Sequence, residues 1–145
     1  MSKVLHIASD HAGYELKTIL AEQLRKEAYN LTDHGTNSLQ SCDYPLFAQA
    51  LCTAVLTSGA PGILICGTGI GMSMAANRFG GIRAALCNNE FTARACRLHN
   101  NANVLCLGSR VVGSGLAASI VAAFLESPFE GGRHEKRLTM FPTGI

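Results

Sequence analysis

The residues best suited to chemistry are a cysteine and the glycine-rich turn that follows it. Cys66 ends a short apolar run that starts at Ile63, and Gly67-Thr68-Gly69-Ile70-Gly71 comes directly after it. This order predicts a buried strand, a tight turn and the start of a helix. Backbone N–H groups in such a turn can bind an anion, and a nearby helix N-terminus favours a thiolate. A thiolate beside these donors could abstract a proton next to a carbonyl and leave the enediolate on the N–H groups.

Spacing alone leaves simpler interpretations open for both features. The turn lacks the third glycine of a dinucleotide fingerprint, because Met72 stands in that place, and it lacks the Lys-Ser/Thr pair of a P-loop. A tight strand-to-helix turn without any ligand would need the same glycines. Cys66 could equally be a packed core thiol, which is the role we expect for Cys87 and Cys106.

Other candidate side chains follow other predicted elements. Asp10 and His11 come after the first strand, so a parallel sheet would place them on the same edge as Cys66. The alternative is an aspartate that caps the first helix beside an exposed histidine. His99 lies near a helix C-terminus, where the dipole favours an imidazolium suited to act as a general acid. The alternative is a surface histidine.

Three arginines could bind a phosphate through paired hydrogen bonds. Arg110 follows the fifth predicted strand, and Arg133 and Arg137 would share one face of a helix because they are four residues apart. A solvated basic tail is the alternative for the last two. No group of histidine, cysteine and aspartate shows metal-ligand spacing, so we expect no metal.

Composition narrows the class of protein. The chain has 145 residues, which fits one domain with a core that needs no covalent support. Its net charge of +2 gives no electrostatic reason to expect nucleic-acid binding. Neither a membrane-spanning run nor a signal peptide is recognisable, so we expect a cytoplasmic protein whose six cysteines are free thiols.

Apolar runs of strand length alternate with helical patterns five times along the chain. The predicted strands are 4–8, 29–32, 63–66, 82–87 and 104–107. Near-continuous apolar strands separated by helices indicate a parallel sheet that is covered on both faces. We therefore predict a three-layer α/β/α Rossmann-like fold with a five-stranded parallel sheet, in one domain over 1–145, with a polar, basic tail at about 127–145.

Several motifs along the chain also occur together in one known family. They are Ser9-Asp10-His11-Ala12-Gly13, Asp43-Tyr44-Pro45, Cys66-Gly67-Thr68-Gly69-Ile70-Gly71, His99-Asn100, Gly108-Ser109-Arg110 and Gly131-Gly132-Arg133-His134 with Arg137. In this order and over about residues 3–137, the chain resembles the ribose/galactose isomerase family, in its ribose-5-phosphate isomerase B branch. Members that lack the cysteine use a glutamate at the position of Met72, so the resemblance is to the cysteine-base type.

The resemblance implies an aldose–ketose isomerase of the pentose phosphate pathway that interconverts ribose 5-phosphate and ribulose 5-phosphate without a cofactor or metal. It implies a homodimer or tetramer with active sites shared between subunits, and no nucleic-acid or membrane partner. A six-carbon substrate, such as allose 6-phosphate or galactose 6-phosphate, stays open. So does a non-catalytic module on the same scaffold that binds phosphate or nucleotide.

The resemblance also implies a role for each matching residue. Cys66 matches the base that moves the proton between C1 and C2, and Thr68 the hydroxyl beside it. His99 matches the acid that helps to open the furanose ring, with Asp10 as its counterpart on the sugar hydroxyl. The substrate-binding set comprises the enediolate loop Gly67, Gly69, Ile70 and Gly71, the sugar contact Asn100, and the phosphate ligands His11, Arg110, Arg133 and Arg137. In such dimers His99, Asn100 and Arg110 come from the neighbouring subunit.

Overall fold

Five parallel strands alternate with helices along the chain, which confirms the predicted fold class. The structure is a computed structural model and describes residues 3–142. The strands are β1 (Lys3–Ser9), β2 (Tyr29–Asp33), β3 (Gly62–Cys66), β4 (Ala84–Leu86) and β5 (Val104–Gly108). The helices are α1 (Tyr14–Lys26), α2 (Tyr44–Ser58), α3 (Ile70–Ala76), α4 (Glu90–Asn100), α5 (Ser114–Glu126) and α6 (Arg133–Leu138). No helix within 3–142 is long and apolar enough to cross a membrane.

The strand order is β2-β1-β3-β5-β4, and successive residues of each strand pack on opposite faces. On one face, Ile63, Ile65 and Leu105 pack against α1, α4 and α5. On the other face, Leu64 and Cys106 pack against α2 and α3. The chain runs outwards in opposite directions from β1 and β3, so the boundary between these strands is the switch point where such sheets bind ligands.

Two elements differ from the sequence prediction. The fourth strand was expected over 82–87, but only Ala84–Leu86 pairs with its one neighbour, β5. The Asn77 side chain occupies the free edge of that strand, because its amide donates to the Ala84 oxygen and its oxygen accepts from the Ala84 nitrogen. The second difference is α6, which lies in the segment expected to be a polar tail and packs against α4.

A buried lysine holds the loop after β2 in place. Lys17 of α1 is 1% exposed, and its Nζ donates to Asp33 Oδ1 at 2.7 Å and to the Thr36 carbonyl. An ammonium group this deeply buried requires partners, because an unpaired charge in the interior is strongly unfavourable. The pair therefore fixes the path of the loop that leads back to the carboxyl edge of the sheet.

Replacing Lys17 by methionine is expected to lower the free energy of unfolding by about 3 kcal/mol. Methionine keeps most of the buried volume, but it leaves the Asp33 carboxylate with only the Gly35 N–H and without a positive charge, and it removes the lysine donor of the Thr36 carbonyl. The matched control is Lys26→Met, which removes an ion pair between Lys26 and Glu22. The Lys26 side chain is 74% exposed and that of Glu22 is 68% exposed. That substitution should lower the free energy of unfolding by less than about 0.5 kcal/mol. Chemical denaturation at one protein concentration measures both, and equal losses would contradict this role of Lys17.

Candidate active site

The carboxyl ends of β1, β3 and β5 meet at one edge of the sheet and bring three predicted site residues together. The Asp10 nitrogen donates to the Ile65 carbonyl at 3.2 Å, directly before Cys66. The Arg110 nitrogen donates to the Gly67 carbonyl at 2.9 Å. Asp10 therefore lies on the same edge of the sheet as Cys66, as the sequence analysis predicts.

Cys66 lies at the base of this edge, with 5% of its surface exposed. Its Sγ accepts a hydrogen bond from the Gly69 nitrogen at 3.1 Å. An N–H donated to sulfur stabilises negative charge there. Among the core thiols, burial raises the pKa of Cys52 to about 11 and raises that of Cys106 well above its ordinary value. All six cysteines are free, as the sequence predicts.

The glycine turn is held in a conformation that only glycine adopts easily. Gly69 has φ +79°, and a Cβ there would lie 2.5 Å from Leu86 Cδ1. This backbone is what directs the Gly69 N–H at the sulfur of Cys66. Thr68 projects from the turn as an exposed side chain, with its Oγ1 accepting from the Ile70 nitrogen at 3.3 Å. Met72 is fully buried in the core below the turn.

Arg110 lies against the glycine turn of its own chain. A Cβ built at Gly67 would be 3.0 Å from Arg110 Nη1, so the guanidinium passes directly over that glycine. Arg110 follows the end of β5 closely, which leaves its exposed side chain on the same edge as Cys66. In this position Arg110 can serve the glycine turn of its own chain.

His11 is held in one tautomer by the loop before α2. Its Nδ1 accepts from the Cys42 nitrogen at 3.2 Å, so the neutral ring carries its proton on Nε2 and can donate from there. The Cys42 Sγ lies 3.8 Å from the same nitrogen. Asp10, buried beside it, accepts from the Gly13 nitrogen at 3.1 Å through Oδ1. Asp10 therefore fixes the turn before α1 but does not cap the helix, because the N-cap residue is Gly13 and has no side-chain capping bond. The other oxygen of Asp10 is not engaged in this bond.

Tyr44 contacts the glycine turn, although the sequence analysis assigns it no role. Asp43-Tyr44-Pro45 predicts a helix start, and Asp43 does occupy the N-cap position of α2, although its side chain makes no capping bond. The Tyr44 ring packs on the glycine turn, since a Cβ at Gly71 would lie 2.6 Å from its Cζ and 2.9 Å from its hydroxyl. No spacing in the sequence indicates this contact, because it joins the first turns of α2 and α3, which are far apart along the chain.

The remaining predicted residues form a second cluster around the end of α4. The His99 ring stacks on that of His134 with centroids 4.5 Å apart, and His99 Nε2 lies 3.5 Å from Glu130 Oε1. Arg133 and Arg137 share α6, which packs against α4. The pKa of His134 is lowered from its ordinary value by desolvation and by the positive charges of His99 and the two arginines.

The two clusters lie at opposite edges of the sheet. His99 and Asn100 end α4 just before β5 begins at Val104, whereas Cys66 and Arg110 lie where strands end. The five residues of β5 alone separate these edges, and they span about 16 Å at about 3.3 Å per residue. One chain therefore does not bring His99 and Asn100 to the sulfur of Cys66.

The chain matches a family model and named relatives over nearly its whole length. The model described as Ribose/Galactose Isomerase matches residues 5–141. Ribose-5-phosphate isomerase B of Escherichia coli is 44% identical over 137 residues, which cover 94% of this chain and 92% of that one.

Solved structures of similar proteins agree with this match. The ribose 5-phosphate isomerase of Thermotoga maritima has a TM-score of 0.93 and 49% identity, covering 96% of this chain and 97% of that one. Ribose-5-phosphate isomerase B from Mycoplasma genitalium, solved with bound ribulose-5-phosphate, has a TM-score of 0.92 and 46% identity, covering 96% and 93%. With the fold and the strand-end cysteine already described, these matches establish that the chain belongs to the ribose/galactose isomerase family.

Proposed function

We propose that this protein is an aldose–ketose isomerase that interconverts ribose 5-phosphate and ribulose 5-phosphate, a step of the pentose phosphate pathway. The observation that carries the proposal is the Cys66 sulfur, which accepts the Gly69 N–H at a strand end beside the glycine turn. This pairing of a base with backbone donors is the arrangement that enediolate chemistry needs. The relatives from Escherichia coli and Mycoplasma genitalium are both named ribose-5-phosphate isomerase B, which is the same reaction.

The proton transfer follows from this geometry. The Cys66 thiolate takes the proton from C2 of the open-chain aldose, and the C–H electrons form a C1–C2 double bond that leaves negative charge on O1. The turn from Gly67 to Gly71 holds the two oxygens, with the Thr68 hydroxyl beside them, while a proton passes from O2 to O1. The C1–C2 π electrons then take the proton back from the thiol at C1, the O2 electrons form the C2 carbonyl, and the thiolate is regenerated.

Phosphate recognition uses groups from both clusters. His11 donates through Nε2, and the Arg110 guanidinium over Gly67 supplies a fixed positive charge. Arg133 and Arg137 lie at the other edge, one turn apart on α6. If all four bind one phosphate, they must come from two chains, because about one strand length separates their edges.

A homodimer with shared sites satisfies this requirement. A second copy would present its α4 end and α6 to the carboxyl edge of the first, so that His99 and Asn100 reach the sugar that Cys66 deprotonates. Symmetry then gives two equivalent sites per dimer. In each site His99 gives a proton to the ring oxygen while Asp10 accepts the proton of the anomeric hydroxyl, and the furanose opens to the aldehyde.

A six-carbon sugar phosphate is the second candidate substrate, because the family includes galactose isomerases. Substrate length would be read by the loop that carries Cys42 and by Tyr44, which closes over Gly71. We expect kcat/KM for ribose 5-phosphate to exceed that for allose 6-phosphate and galactose 6-phosphate at least tenfold, equivalent to about 1.4 kcal/mol of transition-state binding.

Steady-state kinetics with the three substrates, together with calorimetric titration of nucleotides, tests this assignment. A higher kcat/KM for either six-carbon substrate would reassign the substrate while keeping the reaction. Tight nucleotide binding without turnover of any sugar phosphate would contradict an isomerase and support a binding module.

A further inference from the structure

Three side chains with metal-binding atoms meet at the end of α4. They are His99, Glu130 and His134, and their ligand atoms all lie within 4.8 Å of one another. They come from α4, from the connection between α5 and α6, and from α6. The sequence analysis predicts no metal, because His99 is far along the chain from Glu130 and His134 and only the fold brings the three together.

The backbone around the cluster is fixed by hydrogen bonds. The Glu130 nitrogen donates to the Leu98 carbonyl at 3.1 Å, which ties the connection to the last turn of α4. The His134 nitrogen donates to the Gly131 carbonyl at 3.1 Å, which starts α6 beside it. The relative position of the three residues is therefore set by main-chain contacts rather than by their side chains alone.

The side chains can close around an ion without moving this backbone. A tetrahedral zinc site has ligand atoms about 2.0–2.2 Å from the metal, and so roughly 3.4 Å from one another. His99 Nε2 and Glu130 Oε1 are already 3.5 Å apart, and these side chains are 48% and 51% exposed, so they can rotate. Two imidazoles and one carboxylate suit Zn²⁺, Co²⁺ or Ni²⁺, whereas Mg²⁺ prefers a full set of oxygen ligands.

We propose that His99, Glu130 and His134 form a binding site for a divalent transition-metal ion, with Zn²⁺ as the representative ligand and its fourth position open. Arg133 and Arg137 lie on the same short helix as His134, and their charge opposes a cation. The site is therefore a reversible one and not the seat of a resident cofactor. The ion would bond to His99 through a ring nitrogen and so remove it from acid catalysis. This inhibitory effect, unlike the binding itself, rests on the function proposed above for His99.

Calorimetric titration of the full chain with Zn²⁺ tests the site. The titration uses a Cys42→Ser background, because Cys42 is a partly exposed thiol beside His11 and could bind zinc independently. We expect Glu130→Gln and His134→Gln each to weaken binding at least tenfold, since each removes one of three ligands. Glu135→Gln is the matched control, because Glu135 is an exposed acidic residue of α6 outside the cluster, and it should leave the affinity unchanged.

The competing outcomes are distinct. Equal zinc affinity in the background protein and in both cluster variants would overturn the site, as would equal heats for Zn²⁺ and Mg²⁺. Because the two variants alter different exposed side chains, misfolding of one leaves the other as a valid test.

Isomerase activity gives a separate readout of the inhibitory effect. Zinc should inhibit the background protein reversibly, with recovery on addition of EDTA, and Glu130→Gln should need at least tenfold more zinc for the same inhibition. Zinc binding that depends on the cluster but leaves activity unchanged would overturn the inhibitory effect and contradict the role of His99, while the metal site would stand.

Discussion

Replacing Cys66 by serine is expected to lower kcat for ribose 5-phosphate by about 10²–10⁴-fold, the usual contribution of a positioned general base. Serine has nearly the same size and can still accept the Gly69 N–H. Its hydroxyl is a far weaker acid than a thiol, so almost none of it is ionised and able to take the C2 proton. Exchange of that proton with solvent should be lost together with turnover.

Binding of ribose 5-phosphate should survive this substitution, because His11 and Arg110 are untouched. Calorimetry should therefore give a dissociation constant within about threefold of wild type, a change below about 0.7 kcal/mol. Cys42→Ser is the matched control, since it changes a free thiol on the same edge that accepts no proton in the mechanism. Full turnover by Cys66→Ser would contradict the thiol base.

Replacing His99 by asparagine is expected to lower kcat by about 10²-fold or more when ribose 5-phosphate is the substrate. This sugar is mostly a furanose in solution, so its ring must open before the C2 proton can be removed. Ribulose 5-phosphate cannot form a five-membered ring, because its C5 oxygen carries the phosphate. The reverse reaction therefore bypasses the step assigned to His99 and should retain most of its rate.

Initial rates in both directions test this assignment, and the reverse direction serves as the internal control for folding and phosphate binding. A proportional loss of kcat in the two directions would contradict a role in ring opening. It would indicate a role in binding or proton transfer instead. Retention of the full forward rate would exclude His99 from the reaction.

The sheet was predictable from sequence, because its central strands are continuous aliphatic runs. Ile63, Leu64 and Ile65 are fully buried, as a strand covered on both faces requires. The edge strand β4 was less predictable, because its length depends on pairing with β5 and on the side chain of Asn77. α6 was missed because it buries none of its residues completely, and its polar sequence has the composition of a loop.

The active site was predictable where it depends on topology alone. Parallel strands end at one edge, so Asp10 and Cys66 had to lie close together. The contacts of Tyr44 with the glycine turn, and of Glu130 with His99, join segments that only the folded chain brings together. The placement of Arg110 likewise depends on its backbone bond to Gly67, which no motif records.

In the proposed homodimer each active site is built from two chains, with Cys66 from one and His99 from the other. Mixing Cys66→Ser with His99→Asn, after dissociation and reassociation of equal amounts, tests it most directly. Half of the resulting dimers are hybrids, and each hybrid has one site with both wild-type residues, so about a quarter of the wild-type activity toward ribose 5-phosphate should return. If hybrids form, as native mass spectrometry can verify, and the mixture stays as inactive as the separate variants, the shared site is contradicted.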